Sequence, residues 1–161
     1  MEARKKIEKP VRSVPTAKTQ PFTDDYEILE KIGTGAHSVV HKCQMRATRR
    51  KYAVKIVKKQ YEAAIYMVEE LCEGGELLDR LVNRKALGSE KEVASVMANL
   101  LYAVQYLHSQ QVAHRDLTAA NILFATKDGD PSSLRIVDFG FAKQSRAENG
   151  MLMTPCYTAQ F

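Results

Sequence analysis

The sequence predicts an α+β fold in which an antiparallel sheet comes first and helices follow. Short apolar and β-branched runs, separated by turns, fill residues 26 to 71, and an amphipathic helical pattern begins at Ser89. A strand–turn–strand block then occupies part of residues 114 to 140. Strands that precede helices, rather than alternate with them, are the order of an α+β protein.

The first two predicted strands flank a glycine turn. Residues 26 to 32 form a strand pattern, and residues 33 to 40 read G-x-G-x-x-S-x-V. Glycine lets the backbone approach a ligand closely, so the N–H groups of this hairpin can lie over phosphates. A dinucleotide-binding fingerprint is disfavoured, because that motif opens a helix and a β-branched strand follows here.

Further strands and a long helix follow the hairpin. A basic turn at residues 46 to 50 leads into a third strand at 51 to 58, and a fourth apolar strand begins at Ala64. Ser89-Glu90-Lys91-Glu92 is a capping box, which satisfies N–H groups at a helix start. Apolar residues then recur at helical spacing and predict a helix that faces the core. They are Val93, Val96, Met97, Leu100, Leu101, Val104 and Leu107.

The chemistry of residues 114 to 140 points to phosphoryl transfer. Asp116, Asn121 and Asp138 supply two carboxylates and one carboxamide. Transfer of a phosphoryl group to a hydroxyl needs a base near that hydroxyl and oxygen ligands for Mg²⁺. The alternative is a coincidental set of surface carboxylates, because an Asp in a loop is commonly a turn former. The segment with Asp116 and Asn121 precedes the one with Asp138, and a strand–turn–strand lies between them. This combination favours the catalytic interpretation.

The block resembles the H-R-D-x-x-x-x-N and D-F-G motifs of the protein kinases, and Tyr52-Ala53-Val54-Lys55 resembles their V-A-I-K. The resemblance implies a partial, protein-kinase-like two-lobed fold that uses ATP and Mg²⁺. It assigns Asp116 to the hydroxyl proton, Lys55 to the α- and β-phosphates, and Asn121 and Asp138 to Mg²⁺. The residues that it implies for nucleotide binding are Ile32, Gly33, Gly35, Val40, Ala53, Lys55, Glu70, Cys72 and Glu76.

The connection between the third and fourth strands departs from the kinase pattern. Kinases place helix αC and another strand there, and a mean helix of about 11 residues plus a strand of about 5 cannot fit. We therefore expect helix αC, with its glutamate partner for the lysine, to be absent. A hairpin symmetric about Glu62 would set Lys55 opposite Glu69, and we hypothesise that Glu69 replaces that glutamate. An accidental Glu in a spliced or truncated chain is the alternative.

Residues 22 to 161 closely resemble the C-terminal kinase domain of the RSK-type ribosomal-protein kinases, within the calmodulin-dependent kinase group. The resemblance implies a serine/threonine kinase with a protein substrate. It also implies phosphorylation of Thr154, which precedes Pro155, by an upstream proline-directed (MAP-type) kinase. Thr118 stands where these kinases usually have a lysine for the γ-phosphate, and their A-P-E motif would follow Phe161. The alternative function is a non-catalytic, pseudokinase-like fragment that binds nucleotide or an upstream kinase.

Composition and charge set the expected organisation and partners. The net charge is +5 over 161 residues, and the basic residues near the N-terminus predict a flexible tail or linker at 1–24. An incomplete kinase domain is predicted at 25–161, with N-lobe strands at 25–71 and the hinge, helices, catalytic loop and activation segment at 72–161. No apolar run reaches the roughly 20 residues of a membrane helix, so we expect no membrane partner. The basic tail could contact nucleic acid or a docking partner, but a solvated tail is the preferred interpretation, so we expect no specific nucleic acid. Three cysteines without C-x-x-C spacing favour reduced thiols in the cytoplasm and/or nucleus.

Overall fold

The computed structural model describes residues 17–35, 38–58, 64–82 and 89–144. These residues belong to two compact units, which divide between Met67 and Val68. The first contains helix α1 (Phe22–Asp25) and strands β1 (Tyr26–Gly35), β2 (Ser38–Met45) and β3 (Lys51–Lys58), and strand β4 (Ala64–Glu69) crosses the division. The second contains α2 (Leu77–Val82), α3 (Glu90–Ser109), β5 (Val112–Ala113), β6 (Ile122–Phe124), β7 (Leu134–Ile136) and β8 (Lys143–Gln144). The predicted α+β fold is confirmed, and the predicted domain limits stay a prediction.

The sheet has the strand order β1-β2-β3-β4, and its first two pairs are antiparallel. The β1–β2 hairpin pairs Gly33 with Val40 and Gly35 with Ser38. Strand β1 therefore extends to Gly35, three residues beyond the predicted 26–32, because β2 provides pairing partners for these residues. Strand β3 has the predicted bounds. It lies beside β4, as the short predicted connection requires.

The first unit is held together by a small core and a stack of rings. Cys43 and Val54 are fully buried on adjacent strands. Burial raises the pKa of the Cys43 thiol. Phe22 stacks on Tyr26 and on Tyr66, with centroid distances of 5.0 and 4.6 Å. Such ring pairs add to the energy of burial, so they fix α1 against the sheet.

Helix α3 begins as its sequence predicts, but it buries less than predicted. The Ser89 hydroxyl accepts a hydrogen bond from the Glu92 N–H at 3.2 Å, which confirms the cap. Val96 is 4% exposed, whereas Val93, Met97 and Leu101 are 43%, 47% and 62% exposed, so the prediction that they face the core is wrong. Among the described residues α3 packs on β5, β7 and the 3₁₀ turn Pro131–Ser133, which cover one side of it. No described helix is both long and apolar enough to cross a bilayer.

The core of the second unit forms around a short strand pair. Strands β6 and β7 are antiparallel, with Ile122 opposite Ile136 and Phe124 opposite Leu134. The segment before α2 lies along the other edge of β6, where the Gly74 N–H donates to the Phe124 carbonyl at 2.8 Å. The buried cluster consists of Leu77, Val96, Ile122, Phe124 and Leu134. This packing places the start of β6, which follows Asn121, beside the end of β7, which precedes Val137 and Asp138.

Candidate active site

Asp116 and Asn121 contact each other directly. The Asn121 Nδ2 atom donates to the backbone oxygen of Asp116 at 2.8 Å and to its carboxylate Oδ2 at 3.0 Å. The 3₁₀ turn Ala119–Asn121 produces this arrangement, and the Asn121 N–H donates to the Thr118 carbonyl at 3.0 Å. Because Nδ2 faces Asp116, Oδ1 is the Asn121 atom that can ligate a cation. The motif spacing therefore joins the predicted base to a predicted metal ligand.

Asp138 lies at the same end of the β6–β7 pair as Asn121. The Val137 N–H donates to the Asn121 carbonyl at 2.9 Å, and Asp138 is the next residue. Its φ of 58° is in the left-handed region, and its carboxylate accepts a hydrogen bond from the Gly140 N–H at 3.1 Å. A non-glycine residue in this region costs about 1–3 kcal/mol, and such residues concentrate at functional sites.

His114 connects the segment that holds Asp116 to the segment that holds Asp138. It is 6% exposed, so it is part of the packed interior of this unit. Its Nε2 lies 3.0 Å from the Val137 carbonyl, and its Nδ1 lies 3.3 Å from the Asp116 nitrogen. A neutral imidazole with its proton on Nε2 satisfies both bonds, since Nε2 donates and Nδ1 accepts. The ring also packs edge-on against Phe139 at 4.8 Å.

A cleft of about 270 Å³ opens beside Asp138. Its lining residues are Glu69, Glu70, Cys72, Arg135, Ile136, Val137, Asp138 and Phe139. Three predicted site residues, Glu70, Cys72 and Asp138, therefore line one cavity. Arg135 was not predicted as a site residue. Its only signal in the sequence is a charge within the otherwise apolar run Leu134–Val137.

Arg135 and Glu70 form a bidentate ion pair in this cleft. The Arg135 Nε atom lies 2.7 Å from Glu70 Oε2, and Nη2 lies 3.2 Å from Oε1. The hydrogen bond and charge of Glu70 raise the pKa of Arg135. Burial, followed by the charge of Glu70, raises the pKa of the Cys72 thiol, and the Arg135 charge opposes this rise. The cleft therefore favours the neutral thiol.

The other predicted residues are not among those that line the cleft. Ile32, Gly33, Gly35, Val40, Ala53 and Lys55 belong to the sheet of the first unit. There Val40 pairs with Gly33 on one side and with Lys55 on the other. Glu76 pairs with Leu123 as an isolated bridge and is not among the residues that line the cleft. Thr154 lies outside the described residues. The roles of all these residues stay predictions, as does the pairing of Lys55 with Glu69.

The donor atoms near Asp138 fit Mg²⁺ that arrives with a nucleotide. In the described part of the chain, no three His, Cys, Asp or Glu side chains cluster closely enough to hold a metal. Mg²⁺ is usually bound by one or two carboxylates together with substrate phosphates, rather than by a cage of protein ligands. The Asp138 carboxylate and the Asn121 carboxamide oxygen are the donors that such a site needs.

The buried histidine, the Asp–Asn pair and the Asp after a short strand occupy the positions of the kinase motifs H-R-D-x-x-x-x-N and D-F-G. The family model described as the protein kinase domain matches residues 60–161, so the chain belongs to the protein kinase family. The chain is 76% identical along its whole length to a putative ribosomal protein S6 kinase alpha-1 of Caenorhabditis elegans, of which it covers 24%. Over 99% of the chain it is 45% identical to ribosomal protein S6 kinase 2 beta of Xenopus laevis, covering 30% of that protein. It therefore spans about a quarter of the length of these curated relatives.

The match to the Caenorhabditis elegans relative is longer than this chain. It extends over 189 positions, whereas the chain has 161 residues, so at least 28 positions of the alignment have no residue in this chain. Only residues 59–63 separate β3 from β4, and the family match begins at residue 60. The predicted loss of helix αC agrees with these observations.

Proposed function

We propose that the chain acts as a serine/threonine protein kinase, which transfers the γ-phosphoryl group of ATP to a hydroxyl of a protein substrate. The observation that carries this proposal is the hydrogen-bonded Asp116–Asn121 pair just before the start of β6, with Asp138 two residues after the end of β7. Membership of the protein kinase family supports the same activity.

Asp116 is the proposed proton acceptor. As the substrate oxygen forms its bond to the γ-phosphorus, the bond to the β–γ bridging oxygen breaks and ADP leaves, while the hydroxyl proton passes to the Asp116 carboxylate. Asn121 donates one hydrogen bond to that carboxylate and one to the Asp116 backbone oxygen, so both the side chain and the backbone of Asp116 are held in place. Asp138 and Asn121 would hold Mg²⁺, which neutralises phosphate charge when bound, and Lys55 would bind the α- and β-phosphates.

Regulation through Thr154 is a further part of the proposal. A proline-directed, MAP-type kinase would modify Thr154, which precedes Pro155. Phosphate adds nearly two negative charges, which an arginine can bind. Arg115 has a φ of 68° and donates from Nε to the Phe141 carbonyl at 2.7 Å, so its backbone and Nε are fixed on the segment that leads toward Thr154. A cytoplasmic and/or nuclear location would suit such signalling.

Three isosteric variants of the full chain test the function. Asp116→Asn should lower phosphate transfer from labelled ATP to a generic protein substrate by about 10²–10⁴-fold, the usual contribution of a positioned base. Asp138→Asn should weaken Mg²⁺-dependent ATP binding. Asp79→Asn is the control, because Asp79 is an exposed residue of α2 that also loses one negative charge.

The outcomes separate the two functions that the sequence allows. Transfer that is lost in Asp116→Asn and kept in Asp79→Asn supports catalysis. Transfer that survives unchanged in both Asp116→Asn and Asp138→Asn contradicts the proposed roles. ATP binding without any transfer by the unaltered chain would instead favour the non-catalytic, nucleotide-binding alternative.

A further inference from the structure

We propose that Arg135 is a positioning residue of the nucleotide site. Its bidentate ion pair with Glu70 holds residues 70–72 against β7 and thereby sets the cleft beside Asp138. The ligand in this inference is the Mg²⁺–ATP of the proposed function, on which the inference rests.

The Arg135 guanidinium is held by hydrogen bonds to Glu70 and to its own backbone neighbour. Nε and Nη2 donate to the two carboxylate oxygens of Glu70, at 2.7 and 3.2 Å, and Nη1 donates to the Leu134 carbonyl at 3.1 Å. Three of the five N–H groups of the side chain are thus engaged. A planar fork that meets both oxygens of a carboxylate fixes orientation as well as distance, which a lysine at this position could not do.

The pair joins two walls of the cleft that are distant in sequence. Glu70 and Arg135 are 65 residues apart, and Glu70 and Cys72 line one wall while Arg135 and Asp138 line the other. On the first wall, the Glu73 N–H donates to the Ala125 carbonyl at 3.1 Å. Glu70 and Cys72 come before Glu73 in the chain, so the ion pair is a second attachment for this segment, three residues before that bond. On the second wall, Arg135 is opposite Leu123 in the β6–β7 pair. The ion pair therefore fixes the distance between the strand that leads to Asp138 and the residues predicted to meet the nucleotide.

A second ion pair in the same unit provides a matched control. Lys127 and Glu73 make a single contact of 3.8 Å, and their side chains are 77% and 44% exposed. Exposed pairs of this kind contribute little to stability, whereas bidentate geometry strengthens a pair. Glu70 and Arg135 are 55% and 42% exposed, so we expect a moderate effect on binding rather than loss of the fold.

Cys72 reports on the ion pair without any nucleotide. Glu70 and Arg135 act on its thiol in opposite directions, since the carboxylate raises the thiol pKa and the guanidinium lowers it. The thiolate is the form that reacts with iodoacetamide. Glu70→Gln should therefore speed alkylation of Cys72, and Arg135→Gln should slow it. Glu69 and Asp138 also line this cleft and remain unchanged in both variants.

The experiment is a double-mutant cycle on the full chain. Glu70→Gln, Arg135→Gln and the double variant are compared with Lys127→Gln for Mg²⁺–ATP affinity, at low salt and at 1 M NaCl. Each single variant should bind about two- to fivefold more weakly at low salt, which is the upper range for a partly exposed pair. The double variant should bind no more weakly than either single variant, and high salt should narrow the differences. Lys127→Gln should bind like the unaltered chain.

Three results would overturn the inference. They are additive losses in the double variant, an equal loss in Lys127→Gln, and alkylation of Cys72 that changes in the same direction in both single variants. Alkylation is measured by mass spectrometry of the Cys72 peptide, so Cys43 and Cys156 do not interfere. If the unaltered chain binds no Mg²⁺–ATP, the proposed function fails. Opposite changes in alkylation would then still establish the ion pair, while the positioning role would be refuted.

Discussion

Replacement of Gly74 by alanine tests how closely the segment after Cys72 packs on β6. A Cβ atom at this position would lie 2.1 Å from the Thr126 carbonyl oxygen, 2.6 Å from Phe124 Cβ and 2.8 Å from the Phe124 carbonyl oxygen. Two of these three atoms are backbone oxygens, which cannot rotate away as the end of a side chain can. The segment must therefore move away from β6.

The size of the effect follows from these contacts. Overpacking costs about 1–3 kcal/mol, and rigid backbone obstacles favour the upper part of that range. The displacement would also stretch the hydrogen bond from the Gly74 N–H to the Phe124 carbonyl, now 2.8 Å long, which is worth about 1 kcal/mol. We expect Gly74→Ala to lower the free energy of unfolding by about 3 kcal/mol.

Gly75→Ala is the matched control for this prediction. Gly75 has a φ of +81°, and a Cβ atom added there would have no heavy atom within 4 Å, so alanine meets backbone strain but no obstacle. The left-handed conformation costs about 1–2 kcal/mol, and the stiffer unfolded chain returns about 0.4–1 kcal/mol. Urea denaturation followed by circular dichroism should therefore show a markedly larger loss for Gly74→Ala. Equal losses in the two variants would refute the packing argument.

Three other predictions concern the site, the long helix and the sheet. Asn121→Asp replaces the Nδ2 donor, which lies 3.0 Å from the Asp116 carboxylate, with a second carboxylate that repels it. The free energy of unfolding, measured by urea denaturation at about pH 7, should fall by about 2 kcal/mol. An unchanged denaturation midpoint would contradict the contact. Ser89→Ala removes the cap and should cost about 1 kcal/mol, while Ser89→Asn should retain most of the stability. Lys42 lowers the pKa of Glu30 through a 2.8 Å hydrogen bond, so stability from this pair is present above the unfolded pKa and is lost as pH falls through the folded one. Glu30→Gln should reduce the acid sensitivity of unfolding measured between about pH 6 and pH 3, and an identical pH profile would argue against the pair.

The features that the sequence determined are local in the chain. The bounds of β3, the Ser89 cap and the hairpin around Gly33 and Gly35 depend on residues within a few positions of one another. The spacing from Asp116 to Asn121 is likewise short enough for one 3₁₀ turn to bring the two side chains together. The kinase motifs could be read for the same reason, since each is a short segment whose residue types the chemistry requires.

Only the tertiary structure decided which distant residues meet. Glu70 and Arg135 are 65 residues apart, and nothing near either one in the sequence indicates the other as its partner. Burial along α3 was also undetermined, because helical spacing defines an apolar face but not how much of it other elements cover. Backbone conformation and motif spacing are set by neighbours along the chain, whereas burial and ion pairing depend on contacts that exist only once the chain has folded.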